Sequence, residues 1–220
     1  MGYQWNFAIL QQYWSLFVSG LGFTILFTLV TIAVGLAIGL MAGLARLSPS
    51  RFVNWPVVAY IELFRCTPLL VQLVWFYYAF PVIIGVQMPP NVAGGLVLSL
   101  YTGAFYAEIF RGGIQSIPPG QWDAARALGL RPWPILRTVI LPQAIRLMIP
   151  PFINQSVIQL KNTSLVSVIA VPDLLYQGEL VTAATYRPLE VYSIVAILYF
   201  VVLFPATLLA QAIERRYARR

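Results

Sequence analysis

The stretch Ile117–Pro142, IPPGQWDAARALGLRPWPILRTVILP, is the starting point for interpreting this sequence. It is the only long polar interruption in the first two-thirds of a very apolar chain. Pro118 and Pro119 stand where a helix start tolerates proline. Gly129 stands where a helix commonly ends, and two further prolines forbid a simple continuation. The stretch therefore predicts a short helix of about two to three turns, bounded on both sides.

Small residues give this predicted helix its character. Ala124, Ala125 and Gly129 expose backbone and offer a shallow knob rather than a reactive group. We therefore expect the helix to dock into a groove of another protein.

The composition indicates a membrane protein. Of the 220 residues, 60% are hydrophobic and only 10% are charged, and the mean hydropathy is +0.78. A soluble domain carries about 25% charged residues, so this chain has too few charges to cover a water-facing surface. The net charge of +7 is compatible with nucleic-acid binding. However, nearly all the basic residues flank apolar spans, which favours a lipid bilayer with basic residues on its inner side and no nucleic acid.

Residue sets for catalysis or metal binding are scarce in this sequence. Histidine is absent and Cys66 is the single cysteine, which leaves no disulfide framework, metal cluster or Cys-His nucleophile. The only lysine, Lys161, does not follow a glycine-rich phosphate loop, and no G-x-S-x-G elbow is present. We expect no enzymatic activity, no metal site and no cofactor bound by the chain itself.

The apolar segments predict one all-α integral membrane domain, 1–220, with about five spans. Their expected bounds are about 20–44, 56–80, 92–114, 142–161 and 189–212, with the loop 117–141 between the third and fourth. The first twenty residues are rich in aromatic side chains, as in an interfacial belt. They lack the basic leading region of a cleavable signal peptide.

The distribution of basic residues predicts the orientation. Ten arginines fall on the side of loop 117–141 and the C-terminal tail, whereas Arg187 stands alone on the opposite side, with Lys161 left unassigned. The positive-inside bias then places the N-terminus outside and the C-terminus in the cytoplasm. Five spans satisfy this arrangement, and the short docking helix is cytoplasmic.

Glycines and charges inside the predicted spans indicate how the helices pack. Glycines at positions 35, 39 and 43 form a small-xxx-small stripe, which favours ordinary close packing in the bundle. Glu62 and Arg65, like Glu108 and Arg111, are three positions apart and share a helix face. Charges at membrane depth either pair or face a cavity. We expect pairing near the cytoplasmic end, with snorkelling; contact with a substrate is the alternative.

The segment after the loop combines apolar length with a polar interruption. From Pro142 to Val171 the chain is longer than one span, and Lys161-Asn162-Thr163-Ser164 interrupts it well across the bilayer. We interpret the interruption as a break between two helices, a common way to build a transport site, followed by an outer loop over 173–188. A plain span end is the alternative. The substrate-path candidates are Asn154, Gln155, Lys161, Asn162, Thr163 and Ser164.

The sequence WDAARALG followed by VILP resembles the EAA loop of permease subunits in binding-protein-dependent ABC importers. The matching positions are Asp123, Ala124, Ala125, Gly129, Ile140, Leu141 and Pro142, with aspartate in place of the commoner glutamate. Three further stretches are similar to the polar amino-acid branch of these permeases: YIELFRCTPLLVQLVWFYYAFP, YAEIFRGGIQSIPPGQ and PPFINQSVIQLKNTSLVSVIAVPDLLYQG. The resemblance covers nearly the whole chain. Cys66 stands where that branch more often has glycine.

The resemblance implies a type I ABC importer permease-like fold in the plasma (inner) membrane of a bacterium. Two permease subunits, identical or homologous, pair in such an importer. Two cytoplasmic ATPase subunits bind ATP and Mg and each receive a loop like 120–129. An external substrate-binding protein delivers the substrate. The coupling residues carried over are Asp123, Ala124, Ala125 and Gly129.

The polar interruption also suggests a substrate class. Similar permeases often have an acidic residue beside the lysine, where this chain has Asn162, so the region around Lys161 is net positive. A positive site at low dielectric favours a carboxylate without a cationic side chain. We expect an acidic or neutral polar amino acid. Alternatively, Lys161 only hydrogen-bonds the partner subunit and the binding protein sets the specificity.

Two rival functions are compatible with a membrane bundle. An ion-coupled secondary carrier normally has more spans and an internal repeat, and no repeat is visible in this sequence. A non-transporting membrane scaffold has no use for charged and polar residues at membrane depth.

Overall fold

The computed structural model describes the backbone of residues 4–218 and the side chains of residues 4–216, and its regular elements are all helical. A short helix at Ile9–Gln12 precedes the bundle. The remaining helices are α1 Trp14–Arg46, α2 Arg51–Cys66, α3 Leu69–Ile84, α4 Pro90–Gln115, α5 Pro119–Ala127, α6 Pro132–Ile169, α7 Leu174–Thr185 and α8 Pro188–Ala218.

Four of these helices, α1, α4, α6 and α8, are long and apolar enough to cross a membrane. The bent pair α2–α3 adds a fifth crossing if it is counted as one span. The predicted spans 20–44, 92–114, 142–161 and 189–212 each fall inside one of the four long helices. The prediction of an all-α membrane fold with about five spans is therefore confirmed.

The predicted second span, 56–80, is wrong as a single helix. Helix α2 ends at Cys66, α3 begins at Leu69, and the two are bent by 110° at the break. Pro68 has no amide hydrogen to continue the helix and confines the residue before it to an extended conformation. Thr67 accordingly has φ −113° and ψ 144°. The Thr67-Pro68 dipeptide thus turns the chain within an apolar segment.

The predicted break between two helices at Lys161-Asn162-Thr163-Ser164 is also wrong. The α-helical part of α6, Leu141–Asn162, passes directly into 3₁₀ turns at Thr163–Ile169, so no unwound break separates two helices. The Thr163 hydroxyl donates to the carbonyl of Leu160 at 2.7 Å, and the Ser164 hydroxyl donates to that of Lys161 at 2.8 Å. These side chains are satisfied by the helix backbone itself, so their polarity does not interrupt it.

The expected outer loop 173–188 is largely helical. Helix α7 occupies Leu174–Thr185, and the Asp173 carboxylate caps it by accepting a hydrogen bond from the amide of Tyr176 at 2.9 Å. The other carboxylate oxygen accepts from the Tyr199 hydroxyl of α8 at 3.0 Å. An aspartate ahead of an apolar run is a helix-start signal, and here it also ties α7 to α8.

The glycine stripe of α1 packs against α4 of the same chain. A Cβ atom on Gly39 would lie 2.5 Å from the Cβ of Tyr106, and one on Gly43 would lie 2.8 Å from the Cβ of Phe110. Gly35 similarly faces the side chain of Thr102 at 3.1 Å. Only residues without a side chain permit this approach, which is how helices pack closely in a bilayer. The interpretation as bundle packing is confirmed.

We predict that Gly39→Ala destabilises the bundle, because its methyl group would overlap Tyr106 in the tightest part of this contact. Overpacking of this kind costs about 1–3 kcal/mol. The matched control is Gly22→Ala in the same helix, where an added Cβ meets no atom within 4 Å. Thermal unfolding of the purified variants in detergent measures the difference, and equal midpoints would contradict this packing.

Candidate functional site

Helix α5 forms a short, well-ended projection at one end of the bundle. It spans Pro119–Ala127, and Gly129 follows with φ +74°. The amide of Gly129 donates to the carbonyl of Arg126 at 2.9 Å, and that of Leu130 donates to Ala125 at 3.3 Å. This pair of bonds is a Schellman motif, which places a left-handed glycine after the helix. The predicted short helix and its glycine stop are confirmed.

The two faces of α5 differ in what they contact. Ala125 is only 4% exposed and packs with Ile117, Ile135 and Ile140, which fix α5 against the start of α6. The prediction that Ala125 belongs to an exposed small face is therefore wrong. A small residue is required there because the helix lies close to its own support.

The outward face of α5 is available to a partner. Asp123 and Ala124 are exposed, and Asp123 pairs on the surface with Arg126 at 3.2 Å. Leu128 is 80% exposed and Trp133 is 68% exposed, although the sequence analysis did not single them out. Leu128 follows Ala124 by four positions, about one helical turn, so the two share a helix face. This spacing could have indicated from the sequence that Leu128 is exposed beside Ala124. The outward face of α5 and the residues after it thus combine small and large exposed apolar side chains.

Glu108 is the centre of a charged cluster that joins three helices. Arg111 Nε donates to both of its carboxylate oxygens at 3.1 Å. Arg46 Nε of α1 lies 3.7 Å from one oxygen, and Arg65 Nη1 of α2 lies 4.0 Å from the other. Arg65 also lies 3.9 Å from Glu62. The two predicted ion pairs are present, and Arg46 is an additional partner that sequence spacing did not indicate.

A groove of about 740 Å³ runs between α2, α4 and α6. Its lining includes Arg65 and Glu108 from one side and Asn154, Gln155 and Ile158 from α6. The groove also contains residues at the C-terminal end of α4, which leads into α5. It therefore lies near the α5 end of the bundle.

The exposed face of α6 continues the groove towards its far end. Asn154, Ile158 and Lys161 are all exposed and follow one another at helical spacing. Lys161 comes one turn beyond Ile158 on this face. Two of the predicted substrate-path residues, Asn154 and Gln155, thus line the groove, and Lys161 follows on the same face.

The remaining substrate-path candidates are placed differently. Thr163 is fully buried, so the prediction that it faces a path is wrong. Asn162 and Ser164 are partly buried at the side of the exposed face. The hydroxyl groups of both Thr163 and Ser164 are already engaged with backbone carbonyls. The 3₁₀ turn directs Thr163 into the bundle, where its hydroxyl needs the carbonyl of Leu160.

Polar contacts inside the bundle hold α6 in place. Gln159 is fully buried and its Nε2 donates to the hydroxyl of Thr31 in α1 at 3.1 Å. Asn154 Nδ2 donates to Glu214 of α8 at 2.8 Å. Sequence analysis missed Gln159, although Thr24, Thr28 and Thr31 mark a polar stripe at helical spacing on the opposing helix.

The groups that these surfaces present are suited to hydrogen bonding. Within the described side chains, no three histidine, cysteine, aspartate or glutamate residues come together as metal ligands. The groove presents guanidinium, carboxylate and amide groups, which bind polar solutes by hydrogen bonding.

Comparisons with known proteins agree with this arrangement. A family model described as "Binding-protein-dependent transport system inner membrane component" matches residues 35–219. The chain is 36% identical over 214 residues to the glutamine transport system permease protein GlnP of Escherichia coli strain K12. That match covers 97% of this chain and 98% of GlnP. The chain is also 34% identical over 216 residues to the probable amino-acid ABC transporter permease protein YckA of Bacillus subtilis strain 168. That match covers 98% of this chain and 95% of YckA.

A solved structure has the same fold over almost its whole length. It is described as a crystal structure of an amino acid ABC transporter with histidines, and it superposes with a TM-score of 0.92 at 37% identity. The match covers 97% of this chain and 100% of that one. The chain therefore belongs to the inner-membrane components of binding-protein-dependent transport systems: it is a permease subunit of an amino-acid ABC importer, a class of chain that is not itself an enzyme.

Proposed function

We propose that this permease imports an acidic or neutral polar amino acid and is driven by cytoplasmic ATPase subunits that engage α5. The observation that carries the proposal is the outward face of α5, with Ala124 and Leu128 exposed on a helix that is rigidly held from behind. In this proposal the ATPases bind ATP and Mg. An external binding protein delivers the substrate, and a second permease subunit, identical or homologous, completes the path.

The proposed location is the inner membrane of a bacterium, with the N-terminus outside and the C-terminus in the cytoplasm. Arg46 ends α1 and Arg111 lies in the last turns of α4, at the end of the bundle that carries α5. Arg215 and Arg216 lie in the last turn of α8. This accumulation of arginine supports a cytoplasmic position for α5 by the positive-inside bias.

The packing behind α5 supports a mechanical route from the ATPase to the substrate path. Ala125 contacts the start of α6 through the cluster around Ile135 and Ile140, and Asn154 and Lys161 lie farther along the same helix. Closure of the ATPases on ATP would pull the α5 helices of two permeases together and convert the pair from inward- to outward-facing. A ligand shifts such an equilibrium only through different affinities for the two states, so α5 has to move as a rigid body with α6.

The charge around Lys161 supports the proposed substrate class. Lys161 is exposed on the path face of α6, and its neighbour Asn162 contributes no compensating negative charge. A carboxylate would be attracted there, whereas a cationic side chain would be repelled. The glutamine named for GlnP and the histidines of the similar crystal structure also support a polar amino acid. The alternative is that Lys161 binds the partner permease while the binding protein selects the substrate.

We predict that Gly129→Glu abolishes ATP-dependent uptake while the protein still inserts, because a bulky charged group would obstruct the docking surface of α5. The matched control is Gly85→Glu at the end of α3. Both glycines have positive φ, +74° and +70°, and at both an added Cβ meets no atom within 4 Å. The cost of the left-handed backbone, about 1–2 kcal/mol, is therefore similar. Uptake of radiolabelled glutamine and the amount of permease in the membrane are measured together. Undiminished uptake in Gly129→Glu would refute the coupling role.

We predict that acidic and neutral polar amino acids compete best with radiolabelled glutamate for uptake, and that arginine and lysine compete poorly. Replacing Lys161 by glutamine should raise the KM for glutamate by about tenfold, which corresponds to roughly one charge-assisted hydrogen bond. The control Lys161→Arg retains the charge and should retain most of the affinity. Arginine as the strongest competitor would overturn the proposed substrate class.

A further inference from the structure

Arg65 and Arg111 both approach Glu108, but only one of them is held by hydrogen bonds. Arg111 bonds both oxygens of Glu108, and its Nη1 also bonds Gln115. Arg65 Nη1 is 4.0 Å from Glu108 and 3.9 Å from Glu62, beyond hydrogen-bond length. No hydrogen bond from its guanidinium is formed within residues 4–216. Its donors are therefore available to a ligand.

The position of Arg65 makes this availability significant. Its guanidinium lies 5.5 Å from the ring centroid of Phe105, which holds the planar group by a cation–π contact. Its side chain borders the groove between α2, α4 and α6. A charged group in a membrane bundle normally pairs or serves a functional site, and the pairing of Arg65 is incomplete.

Gln155 supplies a second unpartnered donor, buried beside the same groove. Its side chain lines the groove, the residue is only 6% exposed, and its Nε2 has no hydrogen-bond partner among the described residues. A buried amide that is left without a hydrogen-bond partner destabilises the fold. A ligand that accepts a hydrogen bond in the groove would remove this cost.

The charges around the groove favour an anion. The cluster contains three guanidinium groups, of Arg46, Arg65 and Arg111, and two carboxylates, of Glu62 and Glu108. This cluster therefore has one more positive than negative charge. A further carboxylate, Glu214, accepts from Asn154 on the α6 side of the groove but does not itself line it. Arg111 is hydrogen-bonded to Glu108 and Arg46 to Asn54, so Arg65 is the guanidinium of this cluster that lines the groove without a hydrogen bond.

We propose that this groove is a second binding station for the substrate, in which Arg65 pairs with its carboxylate through two parallel hydrogen bonds and Gln155 Nε2 donates a third. The station lies at the α5 end of the path, apart from Lys161, and a volume of about 740 Å³ suits a free amino acid. This second station depends on the proposed import function, which supplies its ligand. It holds the amino acid before release on the inner side.

The single cysteine of the chain provides a direct readout. Cys66 is exposed, and its thiol donates at 3.4 Å to Glu62, the carboxylate that lies 3.9 Å from Arg65. A ligand bound at Arg65 therefore lies near the thiol and should shield it. The full-length chain is purified into nanodiscs of neutral phosphatidylcholine, and the rate of Cys66 alkylation by N-ethylmaleimide is measured. We expect millimolar L-glutamine to slow alkylation at least severalfold. L-Glutaminamide, which lacks the carboxylate, should not slow it, and equal shielding by the amide would overturn the proposal.

Three variants test the roles of the individual donors. Arg65→Gln should abolish the shielding, whereas Arg51→Gln, an exposed arginine of the same helix that is absent from the groove lining, should leave it unchanged. Gln155→Leu keeps a similar volume and should weaken apparent L-glutamine affinity by about tenfold, the loss of one hydrogen bond to a charged group. It also tests the site without disturbing the Glu108 cluster. Shielding that persists in both Arg65→Gln and Gln155→Leu would overturn the proposal.

The anion has two possible sources, and lipid composition separates them. An anionic lipid headgroup presents oxygens to Arg65 as a carboxylate does, so nanodiscs of phosphatidylglycerol are compared with the neutral ones. Shielding by phosphatidylglycerol that added L-glutamine does not increase would assign the groove to lipid and overturn the proposal.

This alkylation assay needs no ATPase, so it is independent of the test of import. Arg65-dependent shielding without uptake by the assembled importer would refute import and leave the station standing. Uptake without shielding would refute the station alone.

Discussion

The close approach of α1 and α4 is the contact on which the arrangement of the other helices depends. Inside a bilayer, helices gain little from the hydrophobic effect and associate mainly through van der Waals packing and hydrogen bonds. Gly39 and Gly43 let the two helix backbones approach until Tyr106 and Phe110 fill the space that side chains would occupy. This contact aligns the end of α1 with the end of α4, and so brings Arg46 within reach of Glu108. The charged cluster is thus a consequence of how the glycines pack.

The same bundle gives α5 a rigid base. Helix α4 leads directly into α5, and the packing of Ala125 against Ile135 and Ile140 ties α5 to the beginning of α6. Along α6, buried Gln159 bonds Thr31 of α1, while Asn154 bonds Glu214 of α8. A force on the outer face of α5 therefore acts on the helix that borders the groove. Rigid packing on one face and exposed side chains on the other fit the coupling role that we propose for α5.

Arg111 and Arg65 contact Glu108 differently because they approach it from different helices. Arg111, one turn away on the same helix, saturates the carboxylate with hydrogen bonds. Arg65 approaches from α2, just before the bend at Thr67-Pro68, and remains too far away to compete. One charge stabilises the bundle and the other faces a groove. The difference follows from the path of the chain, because residue spacing places both arginines three positions after a glutamate.

The sequence by itself determined the membrane class, the long apolar helices, the limits of α5 and the family resemblance, because hydropathy, proline and glycine act over a few neighbouring residues. It predicted helix faces less well. Ala125 and Thr163 are buried, and no unwound break follows Lys161, since helix packing and hydroxyl-to-backbone hydrogen bonds decide where these side chains point. The bend at Pro68 had a local signal, but its 110° angle depends on tertiary packing. Only the tertiary structure decided that Arg46 meets Glu108 and that Arg65 and Gln155 share one groove, because these contacts join residues that lie tens of positions apart.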